Sequence, residues 1–209
     1  VRLLRCVDDS LLHDIILEEH WWRIIEFLEM AGNSGVILTQ CKFQFAQPTV
    51  DFAGFRITDE TVEPLPKYLH AIRKYPTPAN ITDIRSWFGL VNQVSNYAQL
   101  RDMMEPFRRF LSPKVPFEWN DELNLIFEES KKRIIDAIKE GVKIFYPCKR
   151  TCLRTDWSKT GIGFWLLQKH CSCDQLSPGC YSDGWRIVLA GSRFLTQVER
   201  NYVAVEGEA

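Results

Sequence analysis

Two adjacent carboxylates near the start of the chain are the first residues whose types and spacing suggest chemistry. Asp8 and Asp9 lie between two apolar runs in the stretch LLRCVDDSLLHD. Neighbouring carboxylates repel each other, and Mg²⁺ prefers oxygen ligands of this kind. A solvated hairpin turn explains the same pair, because Asp is a common turn residue. On this stretch alone, both the metal site and the turn remain open interpretations.

A second group of candidate ligands combines sulfur and imidazole. It comprises His170, Cys171, Cys173 and Cys180 in the stretch HCSCDQLSPGC. A Cys-x-Cys pair with a further Cys and a flanking His can hold Zn²⁺ in principle. The spacing matches no strong zinc template, so the pattern favours free thiols in a surface loop. A small zinc-binding interaction module is kept as an alternative that depends on this loop alone.

Composition narrows the classes of protein that fit. The formal net charge is -1, so nucleic-acid binding would have to depend on local basic patches. No apolar run is long enough to span a membrane, and no signal-peptide pattern opens the chain. Seven cysteines in 209 residues favour reduced thiols in a cytosolic or nuclear protein. The apolar start and the helix-like end predict a piece of a longer protein.

The elements that must position the first carboxylates follow from periodicity. The pattern predicts strands over 1–4 and 11–13 around the Asp pair, then a helix over 14–31. The core-facing stripe of this helix comprises Leu17, Trp21, Ile24, Ile25 and Leu28. Phe43, Phe45, Val50 and Phe52 then predict a hairpin with its turn at Gln47-Pro48-Thr49.

The middle of the chain reads as helical and the last part as strands. Asn80 and Asp83 form a capping-box-like pair for a helix that we expect to run to Ala98, and Asn120 caps a helix over 121–139. The stripe of the first of these helices comprises Ile84, Trp87, Phe88, Val91 and Val94. After Pro147, CKRTCLRTDWSKTGIGFWLLQK predicts two strands joined by a turn, and WRIVLAGSRF predicts a third.

Five segments in one order carry a family resemblance. CVDDSLLHD resembles the YxDD box of reverse transcriptases, with Cys6 where the family usually has Tyr. The hairpin KFQFAQPTVDFAGFRIT and the segment PTPANITDIRSWFGLVNQVSNYA follow as in gypsy-type long-terminal-repeat retrotransposons. The segment that leads into ribonuclease H in this family is similar to PFEWNDELNLIFEESKKRI. The start of the ribonuclease H domain is similar to RTDWSKTGIGFWLLQ and, further on, to SRFLTQVERNYVAVEGEA.

The resemblance implies an α+β fold in three parts. Residues 1–76 would be the C-terminal part of a palm, with a YxDD-like and a primer-grip-like hairpin. Residues 77–147 would form a mainly helical thumb and connection, and 148–209 the N-terminal part of a truncated RNase H-like α/β domain.

The resemblance also implies the site residues. Asp8 and Asp9 would hold the polymerase metal ions together with an upstream Asp that this chain lacks, and Asp156 and Glu208 would hold those of ribonuclease H. Glu206 fits the family position less well than Glu208. The primer grip and nucleic-acid contacts would involve Phe52, Ala53, Gly54, Phe55 and Arg85, and the basic residues Arg101, Arg108 and Arg109 could follow a duplex backbone or simply be solvated.

The implied function is that of an RNA-directed DNA polymerase with ribonuclease H, in a fragment expected to be inactive by itself. Two Mg²⁺ or Mn²⁺ ions per active site, an RNA template, a DNA primer, an RNA–DNA hybrid and dNTPs would be its cofactors and partners, with no membrane partner. The expected location is cytoplasmic, with the nucleus and virus-like particles as alternatives, and not secreted. The alternative is a catalytically inactive nucleic-acid-binding or structural remnant of a retroelement.

Overall fold

The computed structural model describes residues 3–112, 114–174 and 184–202, and the chain divides into two compact units, 1–59 and 60–209. The described α-helices are α1 (Leu17–Asn33), α2 (Pro66–Lys74), α3 (Ile81–Asn92), α4 (Arg101–Arg108) and α5 (Asp121–Ile138). The described strands are β1 (Leu3–Cys6), β2 (Asp9–Leu12), β3 (Val50–Phe52), β4 (Phe55–Ile57), β5 (Thr61–Pro64), β6 (Val142–Lys143), β7 (Thr151–Trp157), β8 (Gly161–Lys169) and β9 (Trp185–Phe194). None of the described helices is long and apolar enough to cross a membrane.

The first unit consists of helix α1 and two antiparallel hairpins, β1–β2 and β3–β4. The predicted strand–turn–strand at the start is confirmed, although Asp9 begins the second strand. The predicted turn at Gln47-Pro48-Thr49 is wrong, because the second hairpin turns at Ala53-Gly54. Both of those residues have a positive φ, which is the backbone that a two-residue type I′ turn requires. Pro48 precedes the hairpin instead of closing it.

Helix α1 begins at Leu17, three residues later than predicted, because the backbone at Ile16 is extended. Its predicted core-facing stripe is largely wrong in this chain. Ile24 and Ala31 are the buried hydrophobic residues among those described in the first unit. Trp21 is 50% exposed and Leu17 is 64% exposed. Helix α1 therefore presents a broad apolar face to solvent within this chain.

The second unit has an aromatic core built from three helices and the segment before α5. Phe127 of α5 lies 4.9 Å from Trp87 and 5.6 Å from Phe107 between ring centroids, and Trp119 is also 5.6 Å from Phe127. Aromatic pairs at such distances pack favourably beyond their burial alone. The predicted stripe is confirmed for Ile84, Trp87 and Val91 of α3 and for Val94 just after it, which are buried, whereas Phe88 is half-buried.

Both helix caps predicted from the sequence are present. The Asn80 side chain accepts a hydrogen bond from the backbone N–H of Asp83, and the Asp83 carboxylate accepts one from the N–H of Ala79. Asn120 likewise accepts from the N–H of Leu123. Helix α3 nevertheless ends at Asn92, short of Ala98. Helix α2 was not predicted, although Pro66 stands at its first position, where a proline is well tolerated.

Strands β7, β8 and β9 form an antiparallel sheet, and the predicted strands are confirmed. Three hydrogen bonds, called the helix–sheet clamp below, join this sheet to α4 and the residues before it. They are Ala190 N–H to Asn96 O (3.0 Å), Arg101 N–H to Ser192 Oγ (3.3 Å) and Arg108 Nη2 to Leu195 O (2.9 Å). The boundary predicted between 147 and 148 stays a prediction, and the helices and the sheet belong to one compact unit.

Candidate functional site

The β1–β2 hairpin presents the two sequence-predicted carboxylates at its tip. Cys6 pairs with Asp9, so the turn contains only Val7 and Asp8. Asp8 and Asp9 are both exposed. One carboxylate therefore stands in the turn itself and the other at the first position of the returning strand.

Val7 in this turn has an unfavourable backbone conformation. Its φ of 55° lies in the left-handed region, where a β-branched residue costs about 1–2 kcal/mol. The side chain is 84% exposed, so burial does not repay this cost. The Nε of Arg5 donates a hydrogen bond to the Val7 carbonyl at 3.2 Å and helps to hold the turn. Such strain clusters at functional sites.

The tip offers oxygen ligands but not a complete metal site. Throughout the part of the chain that the structure describes, no hydrogen bond or ion pair is found for the Asp8 or Asp9 carboxylate, and no group of three His, Cys, Asp or Glu side chains could hold a metal ion. Exposed carboxylates without a protein cation suit a hard divalent ion, which usually also takes water or further ligands. The two carboxylates could supply only part of a Mg²⁺ site, and the remaining ligands would have to come from other residues.

A buried carboxylate that sequence reasoning missed anchors this hairpin to α1. The side chain of Asp14 is fully buried and lies 2.9 Å from Nε of Arg23 and 3.1 Å from Nδ1 of His20. Both partners come from α1, while Asp14 directly follows the hairpin. The ion pair therefore fixes the direction in which the chain leaves β2. No local pattern distinguishes Asp14 from its exposed neighbours, because its burial depends on partners six and nine residues away.

The primer-grip-like hairpin has a two-residue turn. Phe52 pairs with Phe55 across Ala53 and Gly54, which have φ values of 50° and 89°. The Arg56 guanidinium donates two hydrogen bonds, at 2.9 and 3.2 Å, to the carboxylate of its cross-strand partner Asp51. The four predicted grip residues are all half-buried. The structure brings them together at one hairpin tip.

Asp156 lies in β7 and is exposed, directly opposite Gly163 of β8. A Cβ at Gly163 would collide with the Gln99 side chain. Because directly opposed residues project to the same face of a sheet, Gln99 lies over the face that carries Asp156. The Gln99 Nε2 is buried without a hydrogen-bond partner among the described residues. Glu206 and Glu208 lie outside the described residues.

Two of the arginines predicted to contact nucleic acid, Arg101 and Arg108, make their contacts within the second unit. The Arg101 side chain is 9% exposed and pairs with Asp102 at 2.6 Å. Arg108 donates to the Leu195 carbonyl and lies 4.3 Å from the Phe194 ring centroid. Burial and the nearby Arg200 lower the pKa of Arg108. Arg85 and Arg109 remain exposed and available to a phosphate backbone.

Of the candidate zinc ligands, Cys171 and Cys173 lie together in the described part of the chain, with their Sγ atoms 3.1 Å apart. Nδ1 of His170 faces the Lys149 Nζ at 2.8 Å, and burial together with Lys149 lowers the pKa of the imidazole. His170, Cys171 and Cys173 form no group of three that could hold a metal ion among the described residues. Cys180 lies outside those residues, so the zinc site stays a prediction.

Solved structures establish the class of fold. The chain superimposes on a foamy viral protease-reverse transcriptase in complex with double-stranded DNA, with a TM-score of 0.77 over 99% of this chain and 34% of that one, at 16% identity. It superimposes equally well on the same kind of protein in complex with an RNA/DNA hybrid, over 26% of that chain. The predicted α+β architecture is confirmed: the fold is that of a reverse transcriptase with an RNase H-like sheet.

Sequence comparison finds relatives of this chain among transposon polyproteins. The chain is 25% identical over 177 residues to the transposon Tf2-3 polyprotein of Schizosaccharomyces pombe, and 24% identical to the Tf2-7 polyprotein. Each alignment covers 84% of this chain and 13% of the relative, so the chain spans a small part of their length. No protein-family model matches the sequence. The chain is thus similar in sequence to retrotransposon polyproteins and similar in fold to reverse transcriptases.

Proposed function

We propose that this chain supplies part of two active sites of a retrotransposon enzyme that copies RNA into DNA and hydrolyses the RNA strand. The observation that carries the proposal is the strained hairpin tip, which exposes Asp8 and Asp9 with no ion pair to either carboxylate among the described residues. This tip has no evident stabilising role, because the backbone of Val7 is strained and the neighbouring carboxylates of Asp8 and Asp9 repel each other. Metal binding would offset both costs.

In the proposed polymerase site, Asp8 and Asp9 would hold two Mg²⁺ or Mn²⁺ ions together with a carboxylate from another part of the longer protein. When bound, these ions would supply activation of the primer hydroxyl and neutralisation of the triphosphate. The role of this chain is to fix the two carboxylates on a short, tightly registered hairpin. The buried Asp14–Arg23 pair holds that hairpin against α1.

In the proposed ribonuclease site, Asp156 and Glu208 would hold metal ions of the same kind. The rigid β7–β8 pairing positions Asp156. An RNA template, a DNA primer, an RNA–DNA hybrid and dNTPs would be the partners, with the β3–β4 hairpin and Arg85 against the nucleic-acid backbone. We place the longer protein in the cytoplasm, the nucleus or virus-like particles.

Primer extension tests the polymerase assignment. The protein would be extended upstream along its own reading frame and assayed on an RNA template with Mg²⁺. We expect Asp8→Asn/Asp9→Asn to abolish extension, because the ions lose their charged ligands. The matched control is Glu26→Gln/Glu29→Gln, which removes the same charge from exposed positions of α1 and should leave extension unchanged. Extension by the Asp variant at the control's rate would refute the assignment.

The absence of a three-ligand metal group among the described residues favours a second candidate, a nucleic-acid-binding or structural remnant without catalysis. This alternative predicts that the extended protein binds an RNA–DNA hybrid equally well with Mg²⁺ and with a chelator. It also predicts no extension product from the unmodified protein. Hybrid binding together with metal-dependent extension would exclude the remnant.

A further inference from the structure

Two cysteines in the connection after β8 lie in direct contact. The Sγ atoms of Cys171 and Cys173 are 3.1 Å apart, and both side chains are half-buried. The other described cysteines are Cys6, Cys41 and Cys148, which are exposed, and Cys152, whose Sγ lies 3.8 Å from the Leu153 carbonyl. The contact between Cys171 and Cys173 brings two thiols close to bonding distance without a large backbone movement.

The backbone around the pair is fixed at several points. His170 N–H donates to the Gly184 carbonyl at 2.6 Å, which closes the base of the β8–β9 connection. The Lys169 Nζ donates to the Cys173 carbonyl. A Cβ at Gly184 would collide with the Cys171 sulfur, so the glycine provides the space that this sulfur occupies. The surroundings therefore hold the two thiols in place.

We propose that Cys171 and Cys173 form a reversible disulfide when the chain meets a low-molecular-weight disulfide such as oxidised glutathione. The thiolate of one cysteine attacks a glutathione sulfur and releases one reduced glutathione. The second thiolate then attacks the protein sulfur of the mixed disulfide and releases the other glutathione. The two protein thiols are oxidised, the glutathione disulfide is reduced, and each released thiolate takes up one of the two protons.

The spacing of one residue between Cys171 and Cys173 determines how easily their disulfide is reduced. A disulfide between residues i and i+2 closes a small ring and departs from relaxed geometry, which makes it easily reduced. Strained and accessible disulfides are the labile, regulatory ones. The pair fits a redox modification that responds to the thiol–disulfide balance around the protein.

Thiol counting after glutathione treatment tests the proposal. The 209-residue chain would be reduced, equilibrated with oxidised and reduced glutathione, and alkylated before intact-mass measurement. We expect the masses to show one internal disulfide, seen as two of the seven alkylation sites lost with no glutathione in their place, whereas exposed single thiols such as Cys148 take up glutathione. Added dithiothreitol should restore all seven. Circular dichroism of each variant below would confirm that it folds like the parent.

Serine variants assign the bond. Cys171→Ser and Cys173→Ser should each abolish the intramolecular disulfide and retain one bound glutathione on the remaining partner. Cys180→Ser and the exposed control Cys148→Ser should form it to the same extent as the parent at each glutathione ratio. Loss of the disulfide in Cys180→Ser, or its persistence in Cys173→Ser, would overturn the proposal. An unchanged thiol count in the parent at every glutathione ratio would overturn it equally.

Discussion

The two compact units of the chain are held together by different forces. In residues 1–59, the described core is limited to Ile24 and Ala31, and the buried Asp14–Arg23 ion pair joins the opening hairpin to α1. In residues 60–209, Phe127 and the aromatic rings around it are buried among three helices. The carboxylates proposed for the polymerase site therefore stand on the unit with the smaller core.

The contrast shows how positioning can be separated from global stability. Short hairpins with defined turns and a buried ion pair orient Asp8 and Asp9 locally. Burial of apolar area supplies most of the free energy of folding, and the second unit has far more of it. Core substitutions should therefore act on the second unit, and polar substitutions should have their largest effects on the first.

The largest expected effect is that of Phe127→Ala. Removing the central ring of the aromatic core should lower the free energy of unfolding of the second unit by about 3–5 kcal/mol. Urea denaturation followed by circular dichroism measures this loss. Leu125→Ala, on the same helix but 72% exposed, should change the free energy by less than about 0.5 kcal/mol. Equal losses in the two variants would contradict the assignment of the core.

Asp14→Asn should have the next largest effect, confined to the first unit. It leaves Arg23 and His20 without their buried carboxylate and should cost about 1–3 kcal/mol, less than for a fully buried pair because Arg23 is 35% exposed. Faster hydrogen exchange in β1, β2 and α1 reports this loss. The control Asp51→Asn breaks an exposed pair and should cost about 0–1 kcal/mol. Faster exchange throughout the second unit would contradict the division between the units.

Val7→Gly should stabilise the opening hairpin. Glycine adopts the φ of 55° without a Cβ penalty, so we expect a gain of about 1 kcal/mol in local stability, seen as slower hydrogen exchange in β1 and β2. Leu4→Gly lies in β1, away from the turn, and should instead destabilise the same hairpin. A loss of stability in Val7→Gly would show that the turn is not strained.

The smallest expected effect is a pH dependence at the end of the sheet. The hydrogen bonds from Arg193 and Thr196 lower the pKa of Glu199 from 4.5 to about 2. The stabilisation by ionised Glu199 is therefore complete above pH 4.5 and is lost progressively as the pH falls towards about 2. Glu199→Gln should remove this part of the acid dependence of unfolding, and salt should weaken it because the pair is exposed. The same pH dependence of the free energy of unfolding in Glu199→Gln as in the parent would refute the stabilising role of ionised Glu199.

Local sequence signals predicted those features that depend on nearby residues. The Asn80 and Asn120 caps, the buried stripe of α3 and the three strands β7–β9 follow from side chains a few positions apart. The second hairpin was misplaced because Pro48 is a stronger turn signal than Ala53, which adopts a positive φ only in this turn.

The features that escaped prediction depend on distant partners. The burial of Asp14 requires side chains of α1, and the internal role of Arg108 requires the carbonyl of Leu195, 87 residues away. Periodicity placed Trp21 on the core-facing stripe of α1, but its burial requires a covering surface, and Trp21 is 50% exposed in this chain. The exposed Asp pair was predictable because a hairpin tip needs only its own sequence.

The helix–sheet clamp bears on recombination between the coding sequences of the helical segment and of the sheet. Asn96, Arg101 and Arg108 bond to Ala190, Ser192 and Leu195, so the helical segment and the sheet carry matching halves of one contact. A recombination event between them could replace the Arg108 or Ser192 side chain that the clamp uses, whereas its backbone groups would be present in any sequence. Inheritance of residues 96–195 as one block would keep Arg108 and Ser192 together with the backbone groups that they contact.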